Sequence, residues 1–186
     1  MKSLQIVKDD TRKVFAALKQ LTQQEVLVGI PEDKSARQSG EITNAALGYI
    51  HNFGAPGANI PARPWLIPGI QKSRDQFMPY LTGAASAAMD GKSEIAKQEL
   101  MRAGQVAVNG VKRELTTGNF VPLSPATVAA RYRARGAQRP RKGEVQYAAL
   151  LSQGLSPATA QAQAGIRPLI NTAQMLNSVT YVVRRK

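Results

Sequence analysis

Ser93-Glu-Ile-Ala-Lys-Gln-Glu-Leu-Met-Arg-Ala-Gly-Gln-Val-Ala-Val-Asn-Gly-Val-Lys-Arg-Glu-Leu-Thr116 sets Leu100, Ala103, Ala107, Val111 and Leu115 three or four residues apart. That spacing draws one apolar stripe down a helix, and Thr116-Thr-Gly118 closes it. It is the strongest helix signal in the chain. Upstream, residues 67–89 are helical in character, with Ile70, Phe77, Leu81 and Ala85 on one face. Residues 42–53 read as a helix with Ile42, Ala45, Ala46, Tyr49, Ile50 and Phe53 on one stripe. Gly54 ends it, since glycine takes the left-handed cap geometry readily. Residues 9–22 make a further helix, capped by Asp10, with Val14, Phe15, Leu18 and Leu21 at helical spacing.

Other signals interrupt the helices. Glu25-Val-Leu-Val-Gly-Ile30 is a short β-type run stopped by Pro31, and 32–40 is a polar loop. Ala55-Pro-Gly-Ala-Asn-Ile-Pro-Ala-Arg-Pro-Trp-Leu66 contains three prolines, which forbid regular helix and remove amide donors. It is expected to be an extended segment anchored by Ile60 and Trp65. Ser124-Pro125 pairs a capping hydroxyl with proline at the first helical position. The pentapeptide Leu-Ser-Pro-Ala-Thr recurs at 155–159, so two helices share one start chemistry. Residues 134–146 are basic and carry Gly and Pro, a loop by composition. Residues 171–178 form a short helix, and Val179-Thr-Tyr-Val-Val183 is a terminal strand. The sum is one domain over 1–186, a helix-rich α+β fold. A small antiparallel sheet includes 25–30 and 179–183, beside an extended Pro-rich loop (55–66) and a basic loop (134–146).

Composition narrows the chemistry. The 186 residues contain no cysteine and a single histidine, His51. Disulfides, thiolate metal sites, cysteine catalysis and multi-histidine metal cages are excluded, and one imidazole is left for acid–base work. Aromatic residues are only 5%, so Ala, Leu and Val must fill the core. The longest stretches without charge, 42–62 and 145–166, are broken by Gly, Pro, Asn or Gln and do not read as membrane spans. The N-terminal residues lack an apolar run of secretory length, so export by that route is not expected.

Charge is uneven. Lys and Arg number 25 against 12 Asp and Glu, a net of +13. Residues 121–186 hold ten basic groups against the single Glu144. Arg131, Arg133, Arg135, Arg139, Arg141 and Lys142 form one dense segment, and Arg184, Arg185 and Lys186 another. Such density attracts polyanions through counterion release without reading sequence. It equally suits a solvated loop and tail that maintain solubility. Only Tyr132 and Tyr147 flank the basic loop, so phosphate contact fits it better than base stacking.

No constellation supports an enzyme. Gly91-Lys92-Ser93 lacks the glycine five positions upstream that a phosphate loop needs, since that position is Ser86, and the preceding residues read as helix. Asp9-Asp10 and Glu32-Asp33 are neighbours in polar surroundings, unlike two carboxylates held across a cleft. His51 alone favours a packing or hydrogen-bonding role. The expectation is no catalytic, metal or cofactor-binding residue.

Three stretches carry a resemblance. They are His51-Asn-Phe-Gly54 followed by Ile60-Pro-Ala-Arg-Pro-Trp-Leu66; Leu123-Ser-Pro-Ala-Thr-Val-Ala-Ala-Arg131; and Pro168-Leu-Ile-Asn-Thr-Ala-Gln-Met-Leu-Asn-Ser-Val-Thr-Tyr-Val-Val183. In order and spacing they resemble the virion-morphogenesis, or tail-completion (neck), proteins of long-tailed bacteriophages. One departure is Asn171-Thr172-Ala173, where that family usually shows Asp-Thr-Gly; alanine lacks glycine's access to positive φ. The resemblance implies a non-enzymatic structural virion protein, assembled in the host cytoplasm, that completes the tail and joins it to the head. It implies a homo-oligomeric ring around the DNA channel, sixfold in the family, touching the tail terminator and the head–tail connector and no membrane. On that reading Arg63 and Trp65 are candidates for the assembly interface. Arg63 is either an exposed spacer or an ion-pair donor, and Trp65 has a competing role in the core. The basic loop and the basic C-terminus would then face DNA phosphates or acidic partners. The alternative is a basic, sequence-independent nucleic-acid-binding protein.

Overall fold

The long helix is the axis of the molecule. A computed structural model describes residues 11–37, 42–133 and 142–185. In chain order the elements are α1 (Thr11–Thr22), β1 (Gln24–Gly29), α2 (Asn44–Phe53), α3 (Leu66–Lys72), α4 (Arg74–Met89) and α5 (Ser93–Thr117). They continue with α6 (Pro125–Arg133), α7 (Lys142–Ser152), α8 (Pro157–Gln163), α9 (Gln174–Ser178) and β2 (Thr180–Arg185). The expected stripe of α5 is buried along its whole length, from Leu100 through Ala103, Ala107 and Val111 to Leu115. It packs against α3, α4 and both strands. The strands pair antiparallel, from Gln24 opposite Arg185 to Gly29 opposite Thr180. The fold is helix-rich α+β with a small antiparallel sheet, as the sequence implies.

The single helix expected over 67–89 is instead two, α3 and α4, meeting at Ser73. The Ser73 hydroxyl donates to the carbonyls of Gly69 and Ile70 at 2.9 and 3.0 Å, competing with the helical ladder. The break lets α3 cross α5 at backbone contact. A Cβ on Gly69 would lie 2.6 Å from the Cα of Val111, so only glycine permits this approach.

Three apolar clusters result, the smallest joining Ala87 and Ala88 of α4 to Ala96 of α5. The main core joins Trp65, Val108, Val111, Leu115, Leu169, Met175 and Val179. A satellite core joins Leu123, Val128, Tyr147, Ala160 and Ala164, contributed by α6, α7, α8 and their flanks. The two Ser-Pro starts are alike in detail. Ser124 and Ser156 each accept the backbone N–H three residues on at 3.2 Å, and each shares a 2.8 Å hydroxyl contact with Thr127 or Thr159.

Three expectations need correction. The apolar stripe assigned to 42–53 faces outward: Ile42, Tyr49 and Phe53 are about half or more exposed, while Asn44 and Gly48 are buried. The cause is Trp65, whose indole lies against Gly48 and donates to its carbonyl at 3.0 Å, so α2 must turn its smallest residue inward. Phe15 of α1 is likewise exposed, not on a core face. Residues 142–146 belong to α7, not to a loop. Gly143, which reads as a loop marker, sits where a Cβ would lie 2.7 Å from the carbonyl oxygen of Ala164. Asp10, the rest of the basic loop at 134–141, and Lys186 lie outside the described residues.

Candidate functional site

The Pro-rich segment is held both by local backbone turns and by side chains, with the expected anchor Trp65 in the main core. Pro56–Ala58 make one 3-10 turn, Asn59 adopts the left-handed conformation, and Ala55 bridges to Ile60. Gly54 has φ +78°, and a Cβ there would lie 2.8 Å from the amide nitrogen of Ala62. Glycine is therefore demanded twice, by dihedral and by space. The side-chain oxygen of Asn52 accepts the N–H groups of Trp65 (3.1 Å) and Leu66 (3.3 Å), capping the start of α3. The Arg63 N–H donates to the carbonyl of His51 at 2.7 Å.

Arg63 and Trp65 both turn inward. Trp65 is only 3% exposed, in the main core. Arg63 is 4% exposed, and its Nε and Nη2 donate to the carbonyls of Val121 and Pro122 at 2.8 and 3.1 Å. Arg63 is thus not an exposed spacer, and among the described residues it makes no ion pair within the chain. It is an internal clamp on the irregular stretch that leads into α6. Arg131 acts similarly. Its guanidinium donates to the carbonyls of Arg167 and Ile170 (both 3.2 Å) and Pro168 (2.7 Å). Planar, multiply donating guanidinium suits both tasks in a way that lysine would not.

Those clamps bring the three quoted stretches together. A groove of about 680 Å³ lies between α2, the Pro-rich segment, α6 and the turn before α9. The first stretch contributes His51 and Arg63, the second Ser124 and Arg131, the third Leu169 and Ala173. Ala173 takes φ +60°, ψ +5°, the left-handed geometry that alanine disfavours. The turn therefore keeps a glycine-like shape without glycine.

The groove is electropositive. His51 is half-buried and its Nδ1 has no hydrogen-bond partner. Burial holds its pKa below the usual imidazole value, and the guanidinium groups of Arg63, Arg131 and Arg37 press it further in the same direction. The imidazole is therefore neutral near pH 7 and sits in the field of three cations. At the back of the groove Asn44, 2% exposed, donates to the carbonyl of Ala36 and to the hydroxyl of Ser178, 134 residues away. Ser178 in turn donates to the Gln174 carbonyl at 2.8 Å, so it is a structural node inside the fold.

The remaining basic residues scatter. Arg133 and Lys142 are exposed at the end of α6 and the start of α7. Arg184 and Arg185 are exposed on β2, where Arg184 pairs with Glu25 at 2.8 Å. Arg135, Arg139, Arg141 and Lys186 lie outside the described residues. Gly91-Lys92-Ser93 is a helix–helix turn with Gly91 at φ +74° and Lys92 paired with Asp90 at 3.0 Å. A helix, not a strand, precedes it, so no phosphate-loop geometry exists there. Among the described residues no three of His, Cys, Asp or Glu gather as a metal-binding set, and no helix is long and apolar enough to cross a membrane.

Sequence reasoning passed over Arg37, Asn44 and Asn52. Asn44 and Asn52 act through partners distant in the chain or across a turn, and Arg37 lines the groove, with no periodic signal to mark any of them. Asn52 had one clue, its place beside His51 in a quoted stretch. No family model, curated protein or solved structure matches the chain.

Proposed function

We propose that this chain is a structural protein of the phage neck, which completes the tail and joins it to the head connector by forming a ring around the DNA channel. The observation that carries the reading is convergence. Three stretches spread from His51 to Val183, which resemble that family in order and spacing, contribute to one groove. Their distinctive side chains are engaged in fixing backbone, not displayed as reactive groups: Arg63, Trp65, Asn52 and Arg131 all hydrogen-bond to main-chain atoms. A joint between larger components needs that kind of rigid shape. The outward aromatic face of α2, with the Tyr49 and Phe53 rings 4.7 Å apart, supplies apolar area of the sort that subunit contacts bury. Because Arg63 and Trp65 are internal, they would act on assembly only through the shape they impose.

The partners on this reading are further copies of the chain, the tail terminator and the head–tail connector, with the exposed Arg133 and Arg185 available for phosphate contacts in the channel. Native mass measurement of the purified chain, alone and mixed with those two proteins, is the test. Rings or mixed complexes are the expected result. A strict monomer indifferent to both would overturn the proposal. Tight, steeply salt-dependent DNA binding by that monomer would favour the nucleic-acid-binding alternative instead.

A further inference from the structure

Among the described residues that line the groove, the charged side chains are all basic. Arg63 is buried, and its hydrogen bonds go only to main-chain carbonyls. Arg37 is half-buried, and its Nε has no acceptor. Among the described residues neither has a carboxylate partner, and no Asp or Glu lines the groove. Buried cations usually gain a carboxylate, because charge-assisted and bidentate contacts offset their lost hydration. Leu47, Ile60, Leu169 and Met175 give the groove apolar wall, interspersed with neutral polar groups such as Asn59, Thr127 and Thr172. Its volume, about 680 Å³, falls within the roughly 300–1,000 Å³ of ordinary ligand pockets.

We propose that this groove receives an acidic side chain carried on an extended segment of a partner protein, with the carboxylate meeting the half-buried Arg37 guanidinium and flanking apolar side chains on Leu47, Ile60, Leu169 and Met175. The inference does not depend on the neck reading. The chain's own surplus of +13 makes an acidic partner the complementary one. Duplex DNA is the poorer fit. Its phosphates lie on the outside of a stiff rod and cannot enter a recess, whereas a carboxylate on a flexible chain can.

His51, the sole histidine, makes the test specific to the site. The full-length chain is titrated with a labelled hexapeptide alternating glutamate and leucine, with a glutamine–leucine hexapeptide and with a short DNA duplex. Binding is read by anisotropy, and the His51 ring by NMR across pH. The glutamate peptide should bind and raise the His51 pKa, because an added anion offsets the cations around it. Arg37→Gln, which breaks no hydrogen bond of the fold, should weaken binding about tenfold, the loss of one charge-assisted contact. Neutralising Lys97 and Arg185 together, both exposed and neither lining the groove, should leave peptide affinity within about twofold, as expected for charges outside the contact. The inference fails if the peptide does not bind or if the glutamine peptide binds equally well. It also fails if Arg37→Gln has no effect and His51 does not respond, or if the duplex alone moves His51.

Discussion

The main core and the satellite core solve the same problem by different means. Around α5, helix and sheet meet through large apolar side chains and backbone contact at glycine; Val111 and Leu115 are at most 1% exposed. Around α6–α8, two of the five fully buried apolar residues are alanines, and polar devices supply much of the definition. The Gln161 amide accepts the Leu123 N–H at 2.8 Å and donates to the Leu123 carbonyl at 2.5 Å, standing in for a strand neighbour. Arg63, Arg131 and Arg167 each donate to carbonyls on a neighbouring segment, Arg167 to that of Thr116 near the end of α5. Apolar contact is proportional to area and tolerant of direction. Guanidinium–carbonyl contact is directional, so the satellite is placed accurately by few groups. The groove lies on the seam between these two constructions.

The sharpest way to break the comparison is to damage each region and ask how far the damage travels. Leu115→Ala removes a side chain 1% exposed in the main core. It should lower unfolding stability by about 3 kcal/mol in urea titration, with every region losing hydrogen-exchange protection together. Arg63→Met keeps much of the volume but abandons two carbonyls. A loss of about 2 kcal/mol is expected, from two charge-assisted bonds less the desolvation that methionine avoids. Its signature is location: α6–α8 should exchange faster while the centre of α5 stays protected. Uniform loss in both variants would mean that the satellite has no separate stability.

Acid should act on the seam. The folded state holds His51 below its ordinary pKa, so the unfolded chain takes up the proton first as pH falls. Stability is then lost as pH drops through about 6.5, the unfolded value, and the loss levels off below the folded value. Burial of the imidazole sets this first, and the Arg63, Arg131 and Arg37 charges add to it. His51→Gln should flatten the change in urea midpoint between about pH 7.5 and 5.5, the range around the ordinary imidazole value. An unchanged slope would place the acid sensitivity elsewhere.

What could be read in advance follows from which forces leave a periodic trace. The α5 stripe, the strand pair and both Ser-Pro starts were legible because spacing or a local cap determines them. The inner face of α2 was not. Counting apolar residues chose Tyr49 and Phe53, but the Trp65 indole needed space at Gly48, and a void leaves no hydrophobic signal. The start of α7 was missed because Gly143 serves packing against Ala164 and not a turn. The clamps of Arg63 and Arg131 could not be placed either, since a guanidinium that binds a carbonyl far along the chain looks, in sequence, like any surface arginine.

Ala173 offers the smallest effect and the cleanest sign. Its left-handed conformation, φ +60°, disfavours alanine by about 1–2 kcal/mol. Ala173→Gly should relieve that strain but return about 0.5–1 kcal/mol of freedom to the unfolded chain. A net gain of about 0.5 kcal/mol is expected, read as a higher urea midpoint with unchanged slope. The same exchange at Ala160, fully buried in helix α8, should instead cost about 1 kcal/mol or more, because there glycine loses helix propensity and packing with nothing to relieve. Ala173 directly precedes α9, which carries Met175 of the main core. Its gain should therefore appear as added protection around α5 and α9, whereas the Ala160→Gly loss should concentrate in α6–α8. Opposite signs in opposite regions would separate the two cores with a pair of single-residue changes of identical chemistry.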